Sequence, residues 1–583
     1  MTHAARIAEQ ATMQSFLNCY MRETGTYEWS EGGPSGDVVI IPLPSQGMTV
    51  HASVSYRSLT GRHIFSFPVT YRVGSTGKEH TLDYVTMTTL LVKEWLIGQE
   101  QELAEDELVL RVLLSCKNIK AYVQARAEDE QALTSEDFDY IEAEQSLLFG
   151  HLLHPTPKSK QGLTEEEDRM YAPEYKGTFQ LRYFSVDRAL ISQDSSISQT
   201  AAEILIRDVQ QTQGAEKLIE EWERGRVLLP LHPLKAQDVL KEEAVQRLMD
   251  TGEMKYMGEA GPLFTATSSF RTLYSHDSRF MYKFSVPVKI TNSLRGNLPK
   301  ELARGMEVSR LVHTELGETM QQAHPSFCII EDPAAITLKP ELGIPGFEVV
   351  LRDNPFYEES RQVSLIAGLV QDHAYGGGSR LSSIIRGIAE REERTTAQVS
   401  LDWMDRYLSI TLDPMMRLYD TYGIVLEAHQ QNSVVRLGDG YPEAFYYRDN
   451  QGYYFSEQKA ETLRGLLSSV NEKSDTICAD EVAQERFRYY FFFNHLFGLI
   501  NGFGVERLVE EEALIDLLRE RLSPYASSSF VQSLLEERRL PCKANLLTRL
   551  HDMDELVGPM EAQSVYAMVD NPLAVKVGTS HAT

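Results

Sequence analysis

The chain is short of positive charge, of paired cysteines and of long apolar runs, and each shortage removes a class of function. Lysine and arginine number 57 against 84 aspartate and glutamate, a formal net charge of −27. The average surface therefore repels phosphate backbones, and nucleic acid is not an expected partner. No run of about 18 consecutive apolar residues occurs, so no spanning helix and no membrane partner are expected. The opening MTHAARIAEQATMQSF has no apolar stretch followed by a small-residue cleavage site, which makes the cytoplasm the expected compartment. The cysteines (Cys19, Cys116, Cys328, Cys478 and Cys542) are an odd number, lie far apart and form no CxxC pair. They read as reduced thiols rather than a disulfide frame or a zinc site.

Familiar catalytic signatures are missing as well. There is no GxSxG, no HExxH, no Walker GxxxxGK[ST] and no kinase signature set. The Gly-rich YGGGSR at 375–380 lacks a strand-GxGxxG-helix context and reads as a flexible loop. No repeat of solenoid period and no low-complexity tract is present.

What is there is an ordinary globular composition, with 42% hydrophobic and 24% charged residues over 583 positions. Periodicity predicts an opening amphipathic helix ending at Gly25, short strands at 38–43, 49–55 and 62–72, and helices over roughly 82–99 and 104–126 joined by the acidic, solvated EQELAEDE. A strand at 177–187, a long helical pattern at 199–224 and an alternating hairpin or meander at 262–291 with SHDS at a turn follow. Helix resumes near 298, with strands near 326–331 and 347–352. The last third is mainly helical, interrupted by a strand pair, GIVLEAHQQNSVVRL and EAFYYRDNQGYYF. The fold class is α+β in about three parts, 1–145, 146–355 and 356–583.

In so acidic a chain, clustered basic residues stand out. The segment SLLFGHLLHPTPKSKQG, 146–162, carries His151, His154, Lys158 and Lys160 among prolines that forbid a continuous helix. By itself it reads as a turn with solvated charges. In SSFRT…KFSVPVKITNSLR, the residues Ser268, Ser269, Arg271, Thr272, Lys283 and Arg295 fall on neighbouring strands or their ends. Fixed cations with hydroxyls between them suit a triphosphate or a multi-carboxylate acid; the alternative is cross-strand pairing on a solvated sheet face. In EAHQQN…YYRDNQG, Glu427, His429, Gln431, Asn432 and Asp449 offer oxygen ligands of the kind that hold Mg2+. Strand alternation would put Glu427, His429 and Gln431 on one face; the alternative is a satisfied core His–Glu pair. FRYYFFFNHLFGLI is an aromatic stripe at helical spacing and reads as core.

Taken in order, GHLLHPTPKSKQG, LLPLHPLK, SSFRT, KFSVPVKITNSLR, EAHQQN, YYRDNQG and PCKANLLTRL resemble the aerobactin-synthetase-like (IucA/IucC) family, the siderophore synthetases that work without nonribosomal peptide synthetases. The likeness runs from about residue 146 to 550. It implies a cupped-hand enzyme: a thumb over 1–145, β-rich fingers over 146–355 and a mainly helical palm over 356–583. It implies ATP and Mg2+ as cofactors, activation of a carboxylic acid such as citrate as an acyl-adenylate, and condensation with an amine or alcohol to give an amide or ester. It also implies a homodimer.

Residue by residue, Ser269, Arg271 and Thr272 resemble the family's phosphate-binding turn and Lys283 its phosphate-contacting lysine. Arg295 and His429 resemble positions that contact the acid. Gln431, Asn432 and Asp449 fall at nucleotide and metal positions, Glu427 at a further Mg2+ ligand, and Lys158 on a loop that closes over ATP. One of His151 and His154 should approach the nucleotide or the reacting carboxylate. Two departures stand out: Lys160 replaces the family's arginine after HPxxK, and Leu234 and Lys235 replace the usual aromatic and glutamine after the second HP.

Two other functions fit parts of the pattern. His429, Asn432 and Asp449 loosely echo the spacing of small-molecule kinase loops, which would make ADP rather than AMP. A non-catalytic carrier or sensor of citrate or ferric siderophore would bind its ligand without consuming ATP.

Overall fold

A computed structural model describes residues 2–574 apart from 34–35, 75–76, 98–103, 292, 450, 552 and 554–564. Residues 100–103 of EQELAEDE lie outside the described residues, and Glu105, Asp106 and Glu107 form the first turn of the helix Glu105–Ala125. The helix His3–Thr24 opens on the Thr2 hydroxyl, which accepts from Ala5 N at 3.3 Å, and closes at Gly25 in the left-handed region. Five strands, Glu28–Gly33, Gly36–Leu43, Met48–Tyr56, Ile64–Val73 and Glu79–Thr81, follow as an antiparallel meander. Alternation turns Val39, Ile41, Leu43, Val50 and Ala52 onto Phe16 and Leu17 of that helix. Helices Tyr84–Ile97 and Glu105–Ala125 complete this layer. Leu546, Leu547 and Leu550, from the far end of the chain, share its core.

The middle of the chain forms one eight-stranded sheet, antiparallel throughout. Its order is Ile191–Ser195, Ala334–Leu338, Val349–Asp353, Phe280–Phe284, Thr272–Tyr274, Met254–Ala266, Thr178–Val186 and Val227–Leu231. The meander expected at 262–291 is its centre. The helical pattern at 199–224 is two helices, Ala201–Gln210 and Glu216–Glu223. Gly214 between them has a φ of 81°, which a continuous right-handed helix does not allow.

The last third packs the long helix Thr396–Tyr422 against a four-stranded sheet of Phe327–Ile330, Tyr441–Arg448, Ser433–Gly438 and Val363–Leu365. The expected strand pair is four strands, Ile424–Leu426, Ser433–Gly438, Tyr441–Arg448 and Tyr453–Ser456. EAHQQN belongs to none of them, because the strand ends at Leu426 and 427–432 is a turn. Strand alternation therefore does not set its side chains. The stripe RYYFFFNHL is a π-helix, Arg488–Leu496, a form frequent at functional sites. Among the described residues, no helix is long and apolar enough to cross a membrane.

Candidate active site

Thr272 and Lys283 face each other across the central pair of the large sheet, with SSFRT the turn that feeds it. Ala266 ends one strand and Thr272 starts the next, so Thr267–Arg271 must reverse the chain. Thr267 N donates to Thr272 O at 2.9 Å and Thr272 N to the Ser269 hydroxyl at 3.1 Å. Phe270 reaches a φ of 69°, a strained value for a bulky residue. Its buried ring, stacked on His232 with centroids 6.1 Å apart, holds it there. Arg271, Thr272 and Lys283 are all buried, which rules out the solvated sheet face. Arg271 Nη1 donates to Gly296 O at 2.6 Å and Asn297 Oδ1 at 2.9 Å, and burial lowers its guanidinium to about 10. Arg295 Nη2 donates to Ile290 O and the Thr291 hydroxyl.

The EAHQQN turn closes over this surface from the other side. Glu427 N donates to Gly452 O at 2.8 Å and Arg448 N to Asn432 O at 3.0 Å, so the turn and the RDNQG loop hold each other. Gly452 is required there: a Cβ would lie 2.2 Å from Glu427 Cβ and 3.0 Å from Asp449 Oδ2. Glu427 and Asp449 thus approach as two carboxylates, and burial, then Asp449, raises the Glu427 carboxyl to about 7. Asp449 Oδ1 pairs with Lys283 Nζ at 3.3 Å and Oδ2 accepts from Asn432 Nδ2 at 3.4 Å. Burial lowers Lys283 to about 8.

Among the described residues, no three His, Cys, Asp or Glu side chains group to enclose a metal. Two neighbouring carboxylates beside an amide do fit Mg2+, which keeps waters and phosphate oxygens as its other ligands. A protein-only cage does not fit.

The histidines share one habit. Nδ1 of His151, His154 and His429 accepts a backbone N–H two residues on, at 3.0, 3.1 and 3.2 Å. In His154 and His429 a neutral ring so held carries its proton on Nε2 and acts as a donor, whereas His151 Nε2 lies 2.6 Å from the amide nitrogen Asn494 Nδ2. Burial lowers His429 to about 4, and desolvation, then His429, also lowers His151, whose side chain stays open to solvent.

His151, His154, Lys158, Ser269, Arg271, Thr272, Lys283, Arg295, Glu427, His429, Gln431, Asn432 and Asp449 all line one cavity of about 320 Å³. Lys160 borders it too, but its ammonium turns away. Nζ donates to Tyr122 Oη at 2.8 Å, Asp168 Oδ1 at 3.0 Å and Glu174 Oε2 at 3.2 Å. The KSK charges are therefore paired within the protein, not solvated. Leu234 and His232 are buried away from the cavity, with His232 enclosed by Tyr171, Phe179 and Phe270.

Several lining residues escaped the sequence reading. Tyr489, Tyr490 and Asn494 come from the stripe read as core; Tyr489 and Tyr490 are buried in that core with Phe491 and Phe492 and also form part of the cavity wall. Arg448 of YYRDNQG pairs with Glu144 at 2.6 Å and donates to Gln431 O at 2.8 Å. Glu144 Oε2 in turn accepts from Ser268 N and Oγ, tying both motifs together. Arg352, paired with Asp332, carried no sequence signal. Lys543 and Asn545 lie in PCKANLLTRL, and Asn545 Nδ2 donates to Leu153 O at 2.7 Å, anchoring the His151 loop.

Comparison with known proteins matches residues 139–371 to the model of the IucA / IucC family and residues 401–558 to one described as ferric iron reductase FhuF-like transporter. A spermidine-citrate ligase of Bacillus anthracis is 45% identical over 99% of both chains. The rhizobactin siderophore biosynthesis protein RhbC of Rhizobium meliloti (strain 1021) is 38% identical over 98% of both. The solved structure of ATP-bound aerobactin synthetase IucA from a hypervirulent pathotype of Klebsiella pneumoniae superposes with a TM-score of 0.88 at 29% identity, covering 97% of this chain and 100% of that one.

Proposed function

The chain belongs to the IucA / IucC family, and from that premise we propose that it is an ATP-dependent ligase of siderophore biosynthesis. A carboxylate oxygen of citrate attacks the α-phosphorus of ATP and pyrophosphate leaves; an amine nitrogen then attacks the activated carbonyl carbon and AMP leaves, forming an amide. The observation that carries this reading is the single cavity that gathers a cation-rich turn, two neighbouring carboxylates and neutral histidine donors from motifs far apart in sequence.

Arg271, Lys283 and the Ser269 and Thr272 hydroxyls face the developing charge on the phosphates, where fixed donors lower the barrier most. Arg295 and His429 hold the acid, and His151 or His154 approaches the reacting carboxylate or the α-phosphate, His154 through its Nε2–H. Mg2+, held by Glu427, Asp449 and Asn432 with substrate oxygens, would screen the phosphate charge. Gln431 and Lys158 complete the nucleotide side. With the spermidine-citrate ligase as a relative, a polyamine is the amine we propose, and the cytoplasm the compartment.

The test is pyrophosphate release with citrate, ATP, Mg2+ and a panel of amines headed by spermidine, with the product weighed by mass spectrometry. AMP, pyrophosphate and a citrate–amine conjugate one water lighter than its parts are expected. ADP as the nucleotide product would point to phosphotransfer, and citrate binding without nucleotide turnover would point to a carrier.

A further inference from the structure

Glu174 is a carboxylate set in the wall of a cavity suited to anions. Its Oε1 accepts from Lys158 Nζ and its Oε2 from Lys160 Nζ, and its side chain is 4% exposed. Burial opposes its ionisation, and the two ammonium groups outweigh burial and hold the carboxyl at about 2.

The two lysines differ in what they have left to give. An ammonium has three donors, and Lys160 spends all three on Tyr122, Asp168 and Glu174. Lys158 Nζ donates to Glu174, which leaves donors for a ligand in the cavity. Its main chain is pinned: N donates to the Ser115 hydroxyl at 3.0 Å and O accepts from Asn118 Nδ2 at 2.8 Å. Gly150, at a φ of 77°, lies so close that a Cβ there would come within 3.1 Å of Lys158 Cε. Lys158 therefore reaches the cavity on a stem with little room to swing.

A site for ATP must also release pyrophosphate, and a bare ammonium fixed over the phosphates would bind product as firmly as it aids reaction. We propose that Glu174 is a positioning residue that shares Lys158 with the triphosphate, fixing the ammonium in place while weakening its hold on the departing pyrophosphate. This inference rests on the ligase reading above for its kinetic half only; the binding half stands on the geometry of the cavity.

The test measures magnesium pyrophosphate binding by calorimetry, beside turnover, for the full chain and Glu174→Gln, which keeps the shape and removes the charge. Pyrophosphate should bind at least roughly tenfold more tightly, well inside the effect of one unit charge a few ångströms away under protein-like screening. In turnover, both the KM for ATP and kcat should fall, with pyrophosphate a stronger product inhibitor. In a Lys158→Met background the same change should alter binding less than about twofold, because the coupled partner is gone. If Glu174→Gln does not fold, Glu174→Asp, which withdraws the charge by one methylene, should shift binding in the same direction by less. Unchanged or weaker pyrophosphate binding in a folded variant overturns the proposal. Tighter binding in a protein that turns over no substrate would instead retire the ligase reading and leave the role of Glu174 standing.

Discussion

Lys283 Nζ and Asp449 Oδ1 meet at 3.3 Å although 166 residues separate them. The ammonium comes from the centre of the large sheet and the carboxylate from the end of the strand Tyr441–Arg448. An ion pair thus bridges the SSFRT–Lys283 side of the cavity and the EAHQQN–Asp449 side, and the proposed roles on the two sides predict separable consequences for substitution.

Lys283→Ala should lower the rate of pyrophosphate release by about 100-fold or more, since it removes a fixed cation from the developing charge. Arg295→Ala should instead raise the KM for citrate about tenfold or more through loss of charge-assisted hydrogen bonds. Steady-state kinetics with each substrate varied separates the two, and wild-type constants in either variant would remove that residue from its role.

Glu427→Gln should raise the Mg2+ concentration needed for half-maximal turnover by roughly tenfold, because one of two neighbouring carboxylates loses its charge. A magnesium titration at saturating ATP reads this directly. An unchanged midpoint would make Glu427 a structural partner of Tyr454, whose hydroxyl donates to it at 3.2 Å.

Lys160→Met should destabilise the fold by about 3–5 kcal/mol, because it leaves buried Glu174 and partly buried Asp168 short of a counter-charge. Lys117→Met, which breaks the exposed pair with Glu165, should cost less than about 1 kcal/mol. Urea unfolding of both variants compares them; equal midpoints would mean that the Lys160 cluster is no tighter than a surface pair.

Stability should fall as pH drops below about 6.5, the ordinary histidine value. His232 is fully buried and burial lowers its imidazole to about 3. Between those values the unfolded chain takes up a proton that the folded chain refuses, so the folded state loses about 2 kcal/mol per such histidine at pH 5. His232→Phe should flatten the unfolding midpoint between pH 7 and 5 by that share. A slope unchanged by the substitution would mean that His232 is protonated in the fold.

Legibility followed the range of the forces involved. The opening helix and its Gly25 cap, the N-terminal strands and the central meander rest on local periodicity and turn chemistry, and they stand where the residue pattern puts them. The long helical pattern at 199–224 divides into two helices because the apolar spacing continues through Gly214 while the backbone does not. EAHQQN is expected to run from strand into turn because its neighbours are apolar and β-branched; the turn is there, but the backbone leaves the ladder already at Leu426 to bond Gly452 and Arg448. Tyr489 and Tyr490 are core as their stripe predicts, and that they also border the cavity depends on which surface the packed helix meets, which spacing does not encode.

By itself, the sequence determined the charge balance, the class of fold and which residue types could handle anions, because these depend on composition and on neighbours a few positions away. Only the tertiary structure decided which of those residues act together. It placed Glu174 between Lys158 and Lys160, Arg448 between Gln431 and Glu144, and Lys283 on Asp449. Such pairings are set by burial, where an unpaired charge is costly and each cation must find a partner wherever the packed chain brings one. In SLLFGHLLHPTPKSKQG that requirement turned two lysines of identical chemistry into different groups, one with all its donors committed inside the protein and one still able to reach the cavity.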